Sequence, residues 1–179
     1  WSGSNNTALW INAFTSNTTA SNNSAVVKSA LAANTTAVDN VGVGASALYS
    51  NTTGGDNVAI GAQAMDSATG TEKSVAIGSQ AGGALTTGTD GVYIGYKAGN
   101  ESNTLRDHNE LFIANETPTN EGTLIKGDFS HKLLAVGAAD QTLSTGSGTL
   151  QVFPKHPTTK ALYVKGAAGQ TAPLAEFYN

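Results

Sequence analysis

Cysteine is absent from all 179 residues, which excludes disulfides and any thiolate metal site. Charge is scarce as well: 12% of the residues are Asp, Glu, Lys or Arg, about half the usual share. A formal net charge of -4 supplies no basic footprint for nucleic acid. The five lysines from Lys126 to Lys165 are spread along apolar runs rather than gathered on one. No apolar run approaches the roughly 20 residues that span a bilayer, so membrane insertion is not expected. Trp1 to Asn12 lacks the basic start and apolar stretch of a secretory signal. Proline is rare, and all four copies lie at or beyond Pro118. Ser, Thr, Asn, Gly and Ala fill the space. That composition borders on disorder, but a strict recurrence of Val and Ile argues for an ordered chain.

The recurrence has a period of 17 residues and runs from Asn5 to Arg106. Units start at Asn5, Asn22, Asp39, Asp56, Lys73 and Asp90. The ninth position is always alanine: Ala13, Ala30, Ala47, Ala64, Ala81 and Ala98. The fifth is a large aliphatic: Leu9, Val26, Val43, Ile60, Ile77 and Ile94. The sixth is glycine from the third unit on: Gly44, Gly61, Gly78 and Gly95. A fixed period of this kind denotes stacked supersecondary units.

Within one unit, Val58 and Ile60 alternate with Ala59, the pattern of a short strand with one buried face. The larger side chains are expected inside. This places Val43, Ile60, Ile77 and Ile94 in the core, with Ala47, Ala64, Ala81 and Ala98 beside them. Ala62 to Met65 reads as a second short strand, and Asp66 to Thr71 as a turn. Successive coils then pair in parallel about 4.8 Å apart. A β-roll is preferred to a helical repeat because 17 residues leave too little room for two helices and a turn, and Asn-Thr-Thr at 17–19, 34–36 and 51–53 breaks helical patterning. The expected class is all-β, a parallel β-roll. Its core is thin, so self-association is expected to cover one face.

The period breaks after Arg106. Asn109 to Asn115 echoes the repeat with a shift of two residues, and Thr123–Phe129 and Lys132–Gly137 read as further strands. The organisation expected is therefore a roll over 1–106, a transitional capping β region over 107–140, and a β module over 141–179 that continues beyond the segment. Because Pro118 cannot donate to a ladder, regular coils are expected to end before it. The pattern is in progress at both ends, as in a piece of a longer polypeptide.

Few residues suggest chemistry. The first position stacks Asn5, Asn22, Asp39, Asp56, Asp90 and Asp107, with Lys73 between. A carboxylate ladder of this kind could hold calcium, but Asx residues at turns bond their own backbone, and that reading is preferred. Asp66 with Glu72, or Glu101 with Asp107, are the carboxylate pairs a glycosidase would need. His108, His131 and His156 lack ligand spacing. No metal, cofactor or catalytic residue is assigned. Asn-x-Ser/Thr sequences begin at Asn5, Asn17, Asn22, Asn34, Asn51, Asn100 and Asn115, and the repeat position shared by Asn17, Asn34 and Asn51 favours turn chemistry over glycan attachment. Tyr49, Tyr93 and Tyr96 are the aromatic side chains that could stack on a sugar. Tyr93, between Val92 and Ile94, is expected to point away from the core.

DNVGVGASALYSNTTGG (Asp39–Gly55), DNVAIGAQAMDSATG (Asp56–Gly70) and KSVAIGSQAG (Lys73–Gly82) resemble the SVAIG-type repeats of trimeric adhesin heads. Units one and two depart from that pattern, with Trp10 and Val27 in place of glycine and Thr7 and Ser24 in place of valine, as capping or transitional coils would. The longer wording, and the run ELFIAN…TLIKGDFS (Glu110–Ser130), are similar to bacteriophage tail-fibre segments. So is Ala161–Phe177. The resemblance implies a left-handed parallel β-roll assembled as an elongated homotrimer on a virion. It implies as partners a host cell-surface glycan or protein and other fibre or tail proteins. The alternatives are the head of a bacterial surface adhesin and a polysaccharide-degrading tail spike.

Overall fold

The computed structural model describes residues 3–100, 109–115, 123–130, 133–136 and 150–152. Ten strands follow one another across a single sheet in chain order, and the described residues contain no helix. The strands are β1 (Thr7–Ala8), β2 (Ser24–Val26), β3 (Val41–Val43), β4 (Val58–Ile60), β5 (Val75–Ile77), β6 (Val92–Ile94), β7 (Glu110–Ala114), β8 (Thr123–Asp128), β9 (Leu133–Val136) and β10 (Leu150–Val152). From β1 to β6 each strand pairs in parallel with the next at an offset of 17 residues, as in Val41↔Val58 and Ile60↔Ile77. The chain is a parallel β-solenoid of about six turns. Thr7↔Ser24 and Ala8↔Ala25 keep the common register, so the two divergent units belong to the same stack.

Each coil has one strand, not two. The run expected as a second strand, Ala62 to Met65, is a succession of turns. Gln63 and Met65 have φ of 58° and 51°, and Ser46 and Leu48 repeat this at 59° and 52° one coil earlier. Left-handed residues at every other position curl the backbone out of an extended path. Hydrogen bonds still cross between coils there, from Leu48 N–H to the Ala64 carbonyl at 3.0 Å and from Met65 N–H to the Ala81 carbonyl at 2.9 Å. The turn side is therefore laddered like the strand side, and backbone polar groups find partners without extended geometry.

The sixth-position glycine answers to this close stacking. At Gly61 φ is 133°, and a Cβ there would lie 2.5 Å from the Gly78 carbonyl in the next coil. Val27 occupies the same position in the second coil with φ of 92°, an outlying conformation for a β-branched residue.

The core sits between the strand and the turn side, and its filling corrects the expectation from hydrophobicity. The buried strand residues are Ala25, Gly42, Ala59, Ala76, Tyr93 and Phe112, the middle of each strand. The flanking aliphatics face outward. Ile60, Ile77 and Ile94 are 39%, 40% and 36% exposed, and Val43 is only half-buried. The physical reason is the tenth position. Phe14, Leu31, Leu48 and Met65 enter from the turn side and fill the coil's narrow interior. Opposite them there is room only for alanine or glycine. Ala47, Ala64, Ala81 and Ala98 are fully buried, as expected.

Polar columns line the ends of this core. Asn40 N–H donates to Asn23 Oδ1 at 2.9 Å, and Asn57 N–H to Asn40 Oδ1 at 3.0 Å. Each buried amide also donates within its own coil, as Asn40 Nδ2 does to the Val38 and Gly54 carbonyls. Asparagine has both an acceptor and two donors, so one residue type can serve the axial ladder and the coil closure together.

Beyond β6 the topology changes. β7 still pairs in parallel, with Val92↔Leu111, which makes the coil between them 19 residues long. β8 then runs antiparallel to β7, β9 antiparallel to β8, and β10 parallel to β9. The remainder of 141–179 lies outside the described residues.

Candidate functional site

The tyrosines are the residues to locate first. Tyr49 lies in the turn of the third coil and Tyr96 in that of the sixth, 47% and 44% exposed. They occupy different repeat positions three coils apart, so they do not form one site. Lys97 Nζ sits 5.2 Å from the Tyr96 ring centroid, a cation–π contact at the surface.

Tyr93 corrects the sequence reading, because it is 4% exposed and belongs to the core. It occupies the column of Ala59 and Ala76, which point inward. Glycines make the room. A Cβ at Gly99 would lie 2.2 Å from Tyr93 Cδ1, and one at Gly91 2.5 Å from Cε2. Gly82 is the next neighbour, its Cβ position 3.5 Å from Tyr93 Cδ2. Gly82 and Gly99 stand where Leu48 and Met65 stand in earlier coils. The core thus exchanges a large tenth and a small fourth position for the reverse. Phe112 continues the exchange, its ring stacked 6.0 Å from that of Tyr93 with 12° between planes. The signal was present in the repeat alignment, as glycine in a leucine column and tyrosine in an alanine column within two units.

The first-position column behaves as turn chemistry requires. Asn5, Asn22, Asp39, Asp56, Lys73 and Asp90 all have φ between 52° and 61°. Short Asn and Asp side chains tolerate this left-handed region best. The next member is Asn109, φ 62°, rather than Asp107, because the 19-residue coil moves the register by two. Among the described residues no three His, Cys, Asp or Glu side chains gather to hold a metal ion. Glu101, Asp107, His108, His131 and His156 lie outside the described residues. Asp66 is half-buried in the turn of coil four, and burial raises its pKa against the lowering effect of the Ser67 hydroxyl and nearby backbone.

Asn17, Asn34 and Asn51 are buried. Asn34 Oδ1 accepts from Ala37 N–H at 3.1 Å, and Asn51 Oδ1 from Gly54 N–H at 3.1 Å. These amides close the turn and are not presented for attachment of a glycan.

What the structure does present is a face. The outward side chains of β2 to β6 form two axial ladders, Ser24, Val41, Val58, Val75 and Val92 in one and Val26, Val43, Ile60, Ile77 and Ile94 in the other. Neither ladder contains a charged residue. The turn sides carry Thr18, Thr35, Thr52 and Thr69, whose hydroxyls donate to the carbonyls of Thr35, Thr52, Thr69 and Thr86 in the next coil. One side of the solenoid is therefore apolar and another is polar. Comparison with protein-family models, curated proteins and solved structures returns no match.

Proposed function

We propose that this chain is a structural and recognition segment of an elongated fibre, assembled as a homotrimer through the valine and isoleucine face. The observation that carries the reading is the exposure of that face. Ile60, Ile77 and Ile94 each leave more than a third of their surface uncovered in the single chain. Apolar surface taken from water is worth about 25 cal/mol per Å². A contiguous uncharged patch of this kind marks an association surface. Stacked coils about 4.8 Å apart make a stiff rod.

The setting proposed is a viral tail fibre, supported by the likeness of DNVAIG and ELFIAN…TLIKGDFS to such segments, with left-handed winding of the coils. Recognition of a host-surface glycan or protein is assigned to the sides away from the axis, where Tyr49 and Tyr96 stand out as exposed rings. Binding is non-covalent, and three weak copies gain strength by avidity. The reading requires no catalytic step.

Sedimentation equilibrium tests the assembly, with an expected mass of three times 18.1 kDa. Flow cytometry of labelled protein on a bacterial panel tests recognition, with Tyr96→Ala and Tyr49→Ala expected to weaken binding. A stable, cooperatively unfolding monomer would overturn the assembly. Equal binding by wild type and both variants would overturn the role of the tyrosines.

A further inference from the structure

The outward ladders do not stop where the solenoid topology stops. Residues directly paired across neighbouring strands place their side chains on the same face of the sheet. Val92 pairs with Leu111, Leu111 with Gly127, and Gly127 with Leu134. In the second column Ile94 pairs with Ile113, Ile113 with Ile125, and Ile125 with Val136. The inward face is kept in the same way: Tyr93 pairs with Phe112, and Phe112 with Lys126, whose Nζ lies 5.2 Å from the phenyl centroid. The chain reverses direction twice and lengthens one coil by two residues. These pairs keep the apolar parity of the sheet, and the register shift between β7 and β8 falls after them, between Ile113 and Ala114.

We infer that the face from β2 to β9 is one continuous interface for further copies of this chain, extending beyond the regular coils into the antiparallel hairpin. This rests on the assembly proposed above and adds where the interface runs. Two observations favour copies of the chain as the occupant. The ladders carry no charge, so they offer nothing to an acidic or basic partner. They also repeat at the sheet spacing of about 4.8 Å. A partner that interdigitates along their whole height needs the same axial repeat, and another copy has it.

Area favours the longer strip over the shorter one. The five strands β2 to β6, in two columns, make a strip about 24 Å tall and about 10 Å wide, roughly 240 Å². A standard interface buries about 800 Å² per partner. Carrying the strip through β9, eight strands in all, makes it about 38 Å tall and adds roughly 140 Å². Leu134 supplies exposed apolar surface there, at 37%.

The test uses the full chain in four forms: wild type, Ile77→Lys, Leu134→Lys and Leu124→Lys. Leu124 is exposed but belongs to neither ladder, because Ile113 pairs with Ile125 and Ala114 with Thr123. Sedimentation velocity is expected to show an oligomeric wild type and an unchanged Leu124→Lys protein. Ile77→Lys and Leu134→Lys should each raise the dissociation constant by about tenfold or more, because each buries an unpaired ammonium. A monomeric wild type would overturn the assembly itself. An oligomer that is broken by Ile77→Lys but not by Leu134→Lys would overturn only the extension beyond the coils. If Leu134→Lys loses its strand signal by circular dichroism, cross-linking decides. The chain has no cysteine, so Leu134→Cys and Leu124→Cys each introduce a single thiol. A short bismaleimide should join copies of the Leu134→Cys protein and not of the Leu124→Cys protein. Equal yields would overturn the inference.

Discussion

Replacing Gly99 with leucine and Tyr93 with alanine should be damaging separately and nearly harmless together. Gly99 has φ of 66°, and a Cβ there would meet Tyr93 Cδ1 at 2.2 Å. Gly91 and Gly82 flank the same ring, so the tyrosine has little room to swing away. Overpacking a filled core costs about 1–3 kcal/mol, and a non-glycine residue in the left-handed region adds about 1 kcal/mol. Gly99→Leu should therefore destabilise by about 2–4 kcal/mol. Tyr93→Ala empties a buried site and should cost about 3–5 kcal/mol. The double variant recreates the cross-section of coils two to four, where Leu31, Leu48 or Met65 at φ of 51° to 52° faces Ala25, Gly42 or Ala59. Its loss should be smaller than either single loss, with a coupling energy of at least about 2 kcal/mol. Urea unfolding followed by far-ultraviolet circular dichroism, at one fixed protein concentration, gives the four stabilities of the cycle. A double variant as unstable as the sum of the two singles would refute the exchange of core volume between the tenth and fourth positions.

Thr71→Val should stabilise by about 1 kcal/mol in the same assay, because the Thr71 hydroxyl is buried without a hydrogen-bond partner and valine keeps its shape. Lys73→Asn should stabilise by about 0.5–1 kcal/mol, since Lys73 is exposed and holds φ of 52° where five other coils use Asn or Asp; an unchanged melting temperature would count against strain at this turn. Asp66 has a raised pKa from burial, so its proton is held more tightly in the folded state. Its contribution to stability is full below the ordinary aspartate value of about 3.9 and is lost as pH rises through the raised value. Asp66→Asn should remove that part of the pH dependence and leave the protein more stable at neutral pH, as melting temperatures across the acid range would reveal.

Periodicity alone determined much of this protein. A strict 17-residue recurrence is too short for two helices and a turn, so parallel stacking of short coils at that offset follows from chain length, whereas the second strand read at Ala62 to Met65 is a run of turns in the folded chain. The left-handed turn at Asp39 and Asp56 was legible for the same reason, because only a few side chains tolerate that backbone. The change of pairing after Pro118 was also foreshadowed, by an imino acid that cannot donate. Alternation, in contrast, divides a strand into two faces without saying which one is inside. Hydrophobicity assigned Ile60 and Ile77 to the interior, and the tertiary structure turned them outward. The deciding quantity is the width of the coil. Leu48 and Met65 arrive from the turn side and occupy the space, so only Ala59 and Ala76 fit opposite them. Tyr93 reverses its expected direction because Gly82 and Gly99 vacate that same space. The outward ladder, with its continuation to Leu134, likewise depends on pairings between distant strands. Those pairings set which side chains share a face, and a local reading of the chain contains no measure of them.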